Sequence, residues 1–409
     1  HFPTFRAGCR IQKLQKQGHI RANKGCCISH LILHVGPTIG RRVGQVQHIG
    51  SQSDGLELVF MTSRSPLRTQ NRHSDNAVLP FRHHCASSGL MDNLTHSLVG
   101  ALIGQIGLKR KTGLAMPTLI IAANIPDIDA VTTLLGGQQH LALRRGLTHG
   151  PIAMLLLPLI LWGIMLWFDR WQTKRGKRPE KRLPVHKGCL LVLAHIGCFS
   201  HPLFDWFNSY GIRLLEPFSS QWFYGDTLFI IDIWLWAALI AGVWISRRRE
   251  RQDANWRAPA LLSFTAIGAY ILANGLITNR AEQLTAAAVR QKHDIVPTLV
   301  VANPVPLFFW KREMLWRDDQ YYGQGSYTAF DDVHIDDSVR PHYMGAADKR
   351  SFAENVTEQS PLLFWSRMPV AQIISEDDRK ALKVSDQRFV DPMVGDRFSA
   401  SFPIGDESQ

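Results

Sequence analysis

Apolar segments alternate with basic loops between residues 94 and 278, and this pattern restricts the possible folds more than any other feature. The segments run over residues 94–108, 112–124, 151–168, 188–199, 228–245 and 258–277. A helix needs about 20 apolar residues to cross a bilayer, with a range of about 17 to 25. The third, fifth and sixth segments meet this length, whereas the other three fit buried core helices or half-spans. We therefore predict a mainly α fold, a multi-helix membrane-embedded bundle.

The basic residues lie in the loops between these segments, and the chain has a formal net charge of +12. They concentrate in residues 109–111, 170–187 and 247–257. Such a charge suggests nucleic acid or an anionic membrane surface as a partner. We favour membrane lipid and not nucleic acid, because the cations flank apolar segments and the sequence has no nucleic-acid reader motif. The positive-inside rule then predicts that the basic loops are cytoplasmic in a multi-pass protein.

Histidine and aspartate residues gather at the opposite ends of the same segments. They are His96, Asp127, Asp129, His149, His201 and Asp205, with Asp226 and Asp232 as outer candidates. Polar residues collect at helix ends in any bundle, but that tendency does not explain why acids and imidazoles share one end and cations the other. We predict that the six side chains meet in one pocket on the side facing away from the cytoplasm.

The pair His201 and Asp205 is the strongest of these candidates, because residues four apart lie on one face of a helix. Taken singly, each histidine is more often structural than a ligand. Imidazole and carboxylate ligands together suit a divalent metal, zinc first, with manganese or iron as alternatives. Six ligands exceed what one tetrahedral ion needs, which favours two ions or more. Asp127 and Asp129 are the predicted catalytic residues, each acting as a general base or orienting a histidine.

Four polar neighbours of these candidates have expected roles of their own. Thr95 and Thr148 precede candidate histidines and are expected to cap the helices that carry them. Arg144 and Arg145 either hold a phosphate or are solvated loop residues. No GxSxG elbow, Walker loop or GxGxxG loop offers a competing chemistry. The cysteines form no CxxC pair, so we predict neither a disulfide framework nor a thiolate metal site.

The two ends of the chain differ from this central part. Residues 1–90 have no sustained helical or strand period and are predicted to be unstructured. Our hypothesis is that Met91 is the natural start and that the preceding residues are translated upstream sequence. Residues 279–409 are polar and broken by Pro and Gly, which predicts a small α+β C-terminal domain on the periplasmic side. Its predicted strands are 298–302, 306–310, 326–330 and 362–365.

Four motifs occur in a fixed order in the central part. They are Thr95-His96 with Gly100, Pro126-Asp127-Ile128-Asp129, Arg145-Gly146-Leu147-Thr148-His149, and Ser200-His201 with Asp205. In this combination, over about residues 91–245, the chain resembles the YdjM family of bacterial inner-membrane proteins, described as membrane-bound, metal-dependent hydrolases.

That family is distantly similar to zinc-dependent phospholipase C, and this second likeness implies a set of metal ligands. The implied ligands are His96, Asp127 or Asp129, His149, His201 and Asp205. The later His-xxx-Glu element of those phospholipases does not follow Asp205 in this sequence.

Two functions fit these residues. The first is an integral hydrolase of the bacterial inner membrane, in which metal-activated water attacks a phosphoester or a lipid head group. Its substrate would be a small molecule or a lipid. The alternative is a non-catalytic membrane protein, in which the His and Asp side chains hold a structural metal or form a polar cluster. A water-accessible metal position distinguishes the two, and we predict the enzyme.

Overall fold

The computed structural model describes residues 87–342, 360–376, 379–389 and 398–403. The prediction for residues 1–90 lies outside these residues, apart from the last few, where the first helix already begins at Ser87. The hypothesis that Met91 is the natural start therefore stays a prediction.

The first two hundred described residues are mainly helical. The α-helices are α1 Ser87–Gln105, α2 Ala115–Ala122, α3 Gly137–Leu143, α4 Pro151–Lys174, α5 Lys187–Trp206, α6 Ile233–Arg251 and α7 Arg257–His293. Two 3-10 helices, Leu108–Arg110 and Ile125–Leu135, lie on either side of α2. Among the described residues, four stretches are long and apolar enough to cross a membrane, namely Ala115–Leu135, α4, α5 and α7.

The set of possible spans differs from the sequence prediction in both directions. Helix α5 was expected to be short, because its apolar run stops at Phe199, yet it continues through His201 and Asp205 to Trp206. These polar side chains are buried inside the bundle, so they do not interrupt the helix. Helix α6 was expected to span and does not qualify, because its last residues, Arg247 to Arg251, are all charged.

Helix α4 shows how these helices meet their surroundings. Met154, Pro158, Leu161 and Met165 form one buried stripe along it, at the spacing of a single helix face. The rest of its surface up to Trp167 is mostly apolar and exposed, including Ile152, Leu155, Leu156, Leu159, Ile160, Ile164 and Trp167. A helix that exposes this much apolar surface over about four turns is typical of contact with lipid.

Close helix packing through two glycines brings α1, α2 and α5 together. A Cβ atom on Gly100 would lie 2.7 Å from the carbonyl oxygen of Leu119, and one on Gly197 would lie 2.9 Å from the same oxygen. Small residues of this kind let helix backbones approach in membrane proteins. His96 lies one turn before Gly100, and His201 lies one turn after Gly197. The glycine contacts therefore set the distance between these two histidines.

The basic loops contact one another at one end of the bundle. Lys109 forms an ion pair with Glu250 and lies 4.4 Å from the ring centre of Trp256. The backbone N–H of His186 donates a 2.7 Å hydrogen bond to the hydroxyl of Thr112. The charged loops before α2, before α5 and after α6 are thus neighbours.

Helix α7 connects the bundle to the C-terminal part. It has 37 residues, which corresponds to about 55 Å and exceeds a hydrocarbon core of about 30 Å. Its second half packs Ala281 and Val289 against an antiparallel sheet. The strands of this sheet are β1 Leu299–Pro304, β2 Lys311–Arg317, β3 Tyr321–Thr328 and β4 Val333–Ile335 in spatial order, with β5 Arg340–Pro341 also paired to β3. Val301 pairs with Leu315 in the register of β1 and β2.

A second antiparallel sheet packs against the bundle near Leu141 and Tyr210. Its strands are β6 Pro369–Glu376, β7 Arg379–Asp386 and β8 Ser399–Pro403, in the order β6-β7-β8. The short helix α8 Pro361–Trp365 precedes them. Leu382 and Val384 of this sheet, with Trp365 of α8, form one core with Leu141 and Tyr210. The C-terminal region therefore touches the chain close to the predicted pocket.

Two of the four predicted strands are wrong. Residues 362–365 form the helix α8, because Ser360 and Pro361 start a helical turn there. Residues 306–310 form a turn, in which Leu307 has a φ of 69° and Lys311 donates to the carbonyl of Phe308. The other two predictions overlap β1 and β3. The predicted fold class is confirmed: a mainly helical chain with membrane-length apolar helices and a C-terminal region of antiparallel sheet.

Candidate metal centre

The predicted ligands meet at the end of the bundle away from the basic loops. His96 comes from the middle of α1, Asp127 and Asp129 come from the 3-10 helix after α2, and His149 lies just before α4. His201 and Asp205 come from the last turns of α5. All six side chains are buried. Residues that are far apart in sequence therefore form one polar cluster, which we call the His–Asp cluster.

Asp205 is at the centre of this cluster. Its Oδ2 lies 3.4 Å from Nε2 of His149 and 3.5 Å from Nε2 of His201. Its Oδ1 lies 3.3 Å from Nε2 of His96. Asp127 Oδ1 approaches the same His201 Nε2 at 3.5 Å. One carboxylate thus contacts three imidazoles, and His201 is shared with a second carboxylate.

The other ring nitrogen of His201 is held by the backbone. Its Nδ1 lies 2.7 Å from the carbonyl oxygen of Ala123, and a carbonyl only accepts hydrogen bonds. The proton of a neutral His201 is therefore on Nδ1, and Nε2 presents a lone pair to the cluster. A histidine that ligates a metal is commonly held in this way by a backbone carbonyl or a carboxylate.

His149 is held in the same tautomer by two side chains. The Thr148 hydroxyl donates its one proton to Asp129 Oδ2 at 2.8 Å, so it can only accept from His149 Nδ1, also at 2.8 Å. Asp129 Oδ2 further accepts the backbone N–H of Arg145 at 2.8 Å. The Nε2 lone pair of His149 therefore faces Asp205, as that of His201 does.

These tautomers leave acceptor atoms facing acceptor atoms. Within the described residues, His149 Nε2, His201 Nε2 and Asp205 Oδ2 receive no hydrogen bond, and neither does either oxygen of Asp127. Buried lone pairs at such distances repel one another unless a cation or a shared proton lies between them. Tetrahedral bonds of about 2.0–2.1 Å place ligand atoms about 3.4 Å apart, which matches the separations of 3.3 to 3.5 Å in the cluster.

The ligand atoms form two overlapping groups that could each hold an ion. One consists of His96, Asp127 and His201, and the other of His149, His201 and Asp205. Within each group all ligand atoms lie within 4.8 Å of one another. The rings of His96 and His201 are stacked at a centroid distance of 3.7 Å. The buried cluster can therefore hold a metal ion.

Asp129 has a different position from the other five predicted ligands. It lies outside both groups and contacts Nδ1 of His149, at 3.4 Å. Its Oδ2 is occupied by Thr148 and Arg145. This geometry suits a residue that orients a ligand histidine, which was one of the two roles considered for it.

Arg145 contributes to the cluster in a way that the sequence did not indicate. It is buried, so the interpretation as a solvated loop residue is wrong for it. Its Nε lies 3.0 Å from Asp205 Oδ2, and its Nη1 donates to Asn208 Oδ1 at 3.0 Å. Its guanidinium lies over the ring of Tyr210 at 4.9 Å. Asn208 and Tyr210 were missed because neither forms a recognisable spacing with a histidine.

The backbone of Arg145 is also unusual. Its φ of 55° lies in the left-handed region, which costs about 1 kcal/mol or more for a residue with a Cβ atom. Asp129 accepts its N–H, and its carbonyl accepts from the backbone of Arg213 at 2.9 Å, so the strained conformation is held on both sides. Arg144, the next residue back, lies 3.7 Å from Asp127 Oδ1 at the edge of the cluster.

The remaining candidates have structural roles elsewhere. Thr95 does not cap α1, because the helix begins at Ser87 and the Thr95 hydroxyl accepts from Trp236 Nε1 instead. Thr148 does not cap α4 either, since Gly150 precedes that helix.

The two outer aspartates also lie away from the cluster. Asp226 forms an ion pair with Arg367 of the C-terminal region. Asp232 caps α6 by accepting from the N–H of Leu235 and also accepts from the hydroxyl of Tyr270. Both carboxylates have structural partners of their own.

Comparison with curated proteins and with solved structures gives no match. A family profile matches residues 91–281, which include all six predicted ligands. The matching family is described as YdjM inner membrane protein. The fold agrees with this description through its four membrane-length apolar helices. Residues 91–281, just under half of the chain, therefore match the YdjM inner membrane protein family, and the apolar helices support a membrane protein.

Proposed function

We propose that this protein is a multi-pass membrane hydrolase that depends on a divalent metal, zinc first, and acts on a phosphoester or a lipid head group. One observation carries the proposal: acceptor atoms of His149, His201 and Asp205 converge at 3.4 to 3.5 Å with their lone pairs directed at one another. A bound divalent cation in such a site lowers the pKa of a water molecule, so that it becomes a nucleophile near neutral pH.

The residues of the chain divide the remaining tasks. His149, His201 and Asp205 would hold one ion, and His96, Asp127 and His201 would hold a second. Asp129 keeps His149 in the correct tautomer through Thr148. Asp127 has two carboxylate oxygens that accept no hydrogen bond from the described residues. One of them suits a ligand and the other, Oδ2, suits the general base that accepts a proton from the attacking water. Arg144, beside Asp127, suits an anionic oxygen of the substrate.

The proposed orientation puts the His–Asp cluster and the C-terminal sheets on the periplasmic side. It rests on the basic loops, which contact one another at the opposite end of the bundle. Under the positive-inside rule that end is cytoplasmic. The exposed apolar surface of α4 between the two ends supports a crossing of the bilayer.

The test is elemental analysis of the purified full chain together with a substrate panel. The panel contains a phosphomonoester, a phosphodiester and phospholipids. We expect bound metal and hydrolysis in the wild type, and loss of both in His201→Ala. The matched control is His195→Ala, because His195 lies on the same helix but donates to the carbonyl of Leu191 away from the cluster. Wild-type protein without bound metal would contradict the proposal, and so would equal metal content in the two variants.

A second function is favoured by a different observation, the burial of the cluster. His149, His201 and Asp205 are each at most 1% exposed. A fully enclosed ion would stabilise the fold without reaching a substrate. On this reading the wild type binds metal, no probe is hydrolysed, and removing the metal with a chelator lowers the unfolding temperature.

A further inference from the structure

We infer that the His–Asp cluster lies beside the outer leaflet of the bilayer and takes a membrane lipid as its substrate. This inference rests on the proposed function and narrows its substrate class from phosphoesters in general to amphiphiles that reside in the membrane. The surface that carries it consists of Ile128, Val131, Leu134, Leu135 and Leu147, and we call it the apolar rim.

The apolar rim is interleaved with the cluster residues along the chain. In the 3-10 helix Ile125–Leu135, Asp127 and Asp129 are buried, whereas the four rim residues of this helix are 61% to 85% exposed. The same alternation recurs after α3, where Leu147 is 60% exposed between the buried Arg145 and His149. The local chain therefore points polar groups at the candidate metal site and apolar groups outward from the same few residues.

The outward face of this 3-10 helix carries no charge. Its two ionisable side chains, Asp127 and Asp129, are turned inward. The hydroxyls of Thr132 and Thr133 donate to the carbonyls of Asp129 and Ala130, each at 2.7 Å, and Nδ1 of His140 lies 2.8 Å from the Thr132 hydroxyl. A surface whose hydroxyls are satisfied by its own backbone suits surroundings that offer no hydrogen bonds.

The rim is continuous with a surface that already faces lipid. Helix α4 begins two residues after His149. Its exposed residues Ile152, Leu155 and Leu156 come within nine residues of Leu147 in the chain. The 3-10 helix packs against α4. Leaving each rim side chain in water would cost about 1.5–3 kcal/mol relative to burial. We therefore assign lipid of the outer leaflet, and not water, to this surface.

This placement defines the substrate by its chemistry. An ester or phosphoester at the level of the head group would lie beside Asp127 and Asp129, while its acyl chains stay among the rim side chains. Arg144 retains partial exposure next to Asp127, so it meets an anionic head group at the same level. The substrate is thus a lipid with a cleavable bond near the glycerol or phosphate.

The position of the rim is tested by photo-crosslinking. A benzophenone amino acid is placed at position 134 of the full chain in bilayers of phosphatidylethanolamine and phosphatidylglycerol. We expect a lipid adduct by mass spectrometry, as at the lipid-facing position 262 of α7. Position 330, an exposed residue of the C-terminal region, is the negative control. A protein dimer or no adduct at position 134 would overturn the inference, whatever the enzyme does.

The substrate class is tested by kinetics in the same bilayers. The variant Leu134→Gln/Leu135→Gln should lower the ratio of phospholipid to soluble phosphodiester hydrolysis by about tenfold or more. The matched control Leu261→Gln/Leu262→Gln changes two adjacent exposed leucines at the other end of the bundle and should leave the ratio unchanged. An unchanged ratio in the rim variant overturns the lipid substrate. Metal-loaded wild type that hydrolyses no probe overturns the proposed function itself.

Discussion

Two buried ionic clusters in this protein handle their charges in opposite ways. In the C-terminal sheet, Asp386 accepts from the Arg388 side chain at 2.9 Å, from the Ser366 hydroxyl at 2.6 Å and from the backbone N–H of Arg367 at 2.9 Å. In the bundle, Asp205 pairs with one cation, Arg145, at 3.0 Å and otherwise faces histidine nitrogens whose lone pairs point at it. Both carboxylates are buried, but only the first is surrounded by donors.

The difference separates a structural ion pair from a site that needs something more. Burying a charge is costly unless hydrogen bonds and an opposite charge compensate. The Asp386 cluster provides this compensation from its own residues and links the sheet to the bundle, since Arg388 also donates to the carbonyl of Ser209. Among the described residues, the centre of the His–Asp cluster has one cationic donor, the Arg145 guanidinium, for several acceptor atoms. A cation that joins it therefore supplies what the chain does not.

The largest expected effect is on folding, when the satisfied cluster is broken. Asp386→Asn keeps the shape of the side chain but leaves Arg388 without its partner, which should lower the free energy of unfolding by about 3–5 kcal/mol. Bound metal per folded molecule should stay unchanged. Unfolding by denaturant in detergent, with elemental analysis of the folded fraction, measures both quantities. A loss of metal in folded Asp386→Asn would contradict the claim that the Asp386 cluster is purely structural.

The corresponding change in the His–Asp cluster should lower the metal affinity and leave the stability of the metal-free protein unchanged. Asp127→Asn is also isosteric, but its carboxylate oxygens accept no hydrogen bond within the described part of the chain. We expect the metal affinity to fall by about 100-fold, since even outer partners of metal ligands are worth about 10–100-fold. The metal-free protein should unfold at the same denaturant concentration as the metal-free wild type. Chelator competition measures the affinity.

The contribution of Asp386 should also depend on pH. Burial opposes its ionisation, but the charge and hydrogen bonds of Arg388 outweigh this and lower the pKa of Asp386 from 3.8 to about 2. A depressed folded-state pKa stabilises the fold above the unfolded value and loses this contribution as the pH falls towards the folded value.

The stability difference between wild type and Asp386→Asn should therefore shrink by about 2 kcal/mol as the pH falls from 5 to 2. Unfolding curves of both proteins across this range measure it. The comparison with the variant removes the titration of the histidines, because both proteins contain them. A difference that stays constant with pH would show that the ion pair is not what Asp386 contributes.

The smallest effect should come from the residues that orient His149. Thr148→Val preserves shape and removes the hydroxyl that sets the tautomer of His149, so the metal affinity should fall about tenfold. Thr133→Val is the matched control, because its hydroxyl donates to a local carbonyl of the same region outside the cluster. Titration of the metal-free protein with zinc gives both values. Equal affinities in the two variants would show that Asp129 and Thr148 do not orient His149 for metal binding.

The sequence predicted the structure correctly where a spacing or a run of residues has one structural explanation. His201 and Asp205 were found because residues four apart share a helix face, and the apolar length of segments such as 151–168 predicted helices of membrane length. The same approach missed Asn208 and Tyr210, which act on Arg145 through contacts that no spacing encodes. Sequence analysis also predicted residues 362–365 as a strand, because a short apolar run occurs both in strands and in helical turns.

The sequence by itself determined that this chain has membrane-length helices, with cations at one end and with imidazoles and carboxylates at the other. Composition and period suffice for this, since each helix must match the bilayer on its own. Only the tertiary structure decided that Asp205 faces three histidines while Asp129 lies behind one of them. That choice depends on how closely Gly100 and Gly197 let the helices approach and on which hydrogen bonds fix each ring, and both are properties of several elements together.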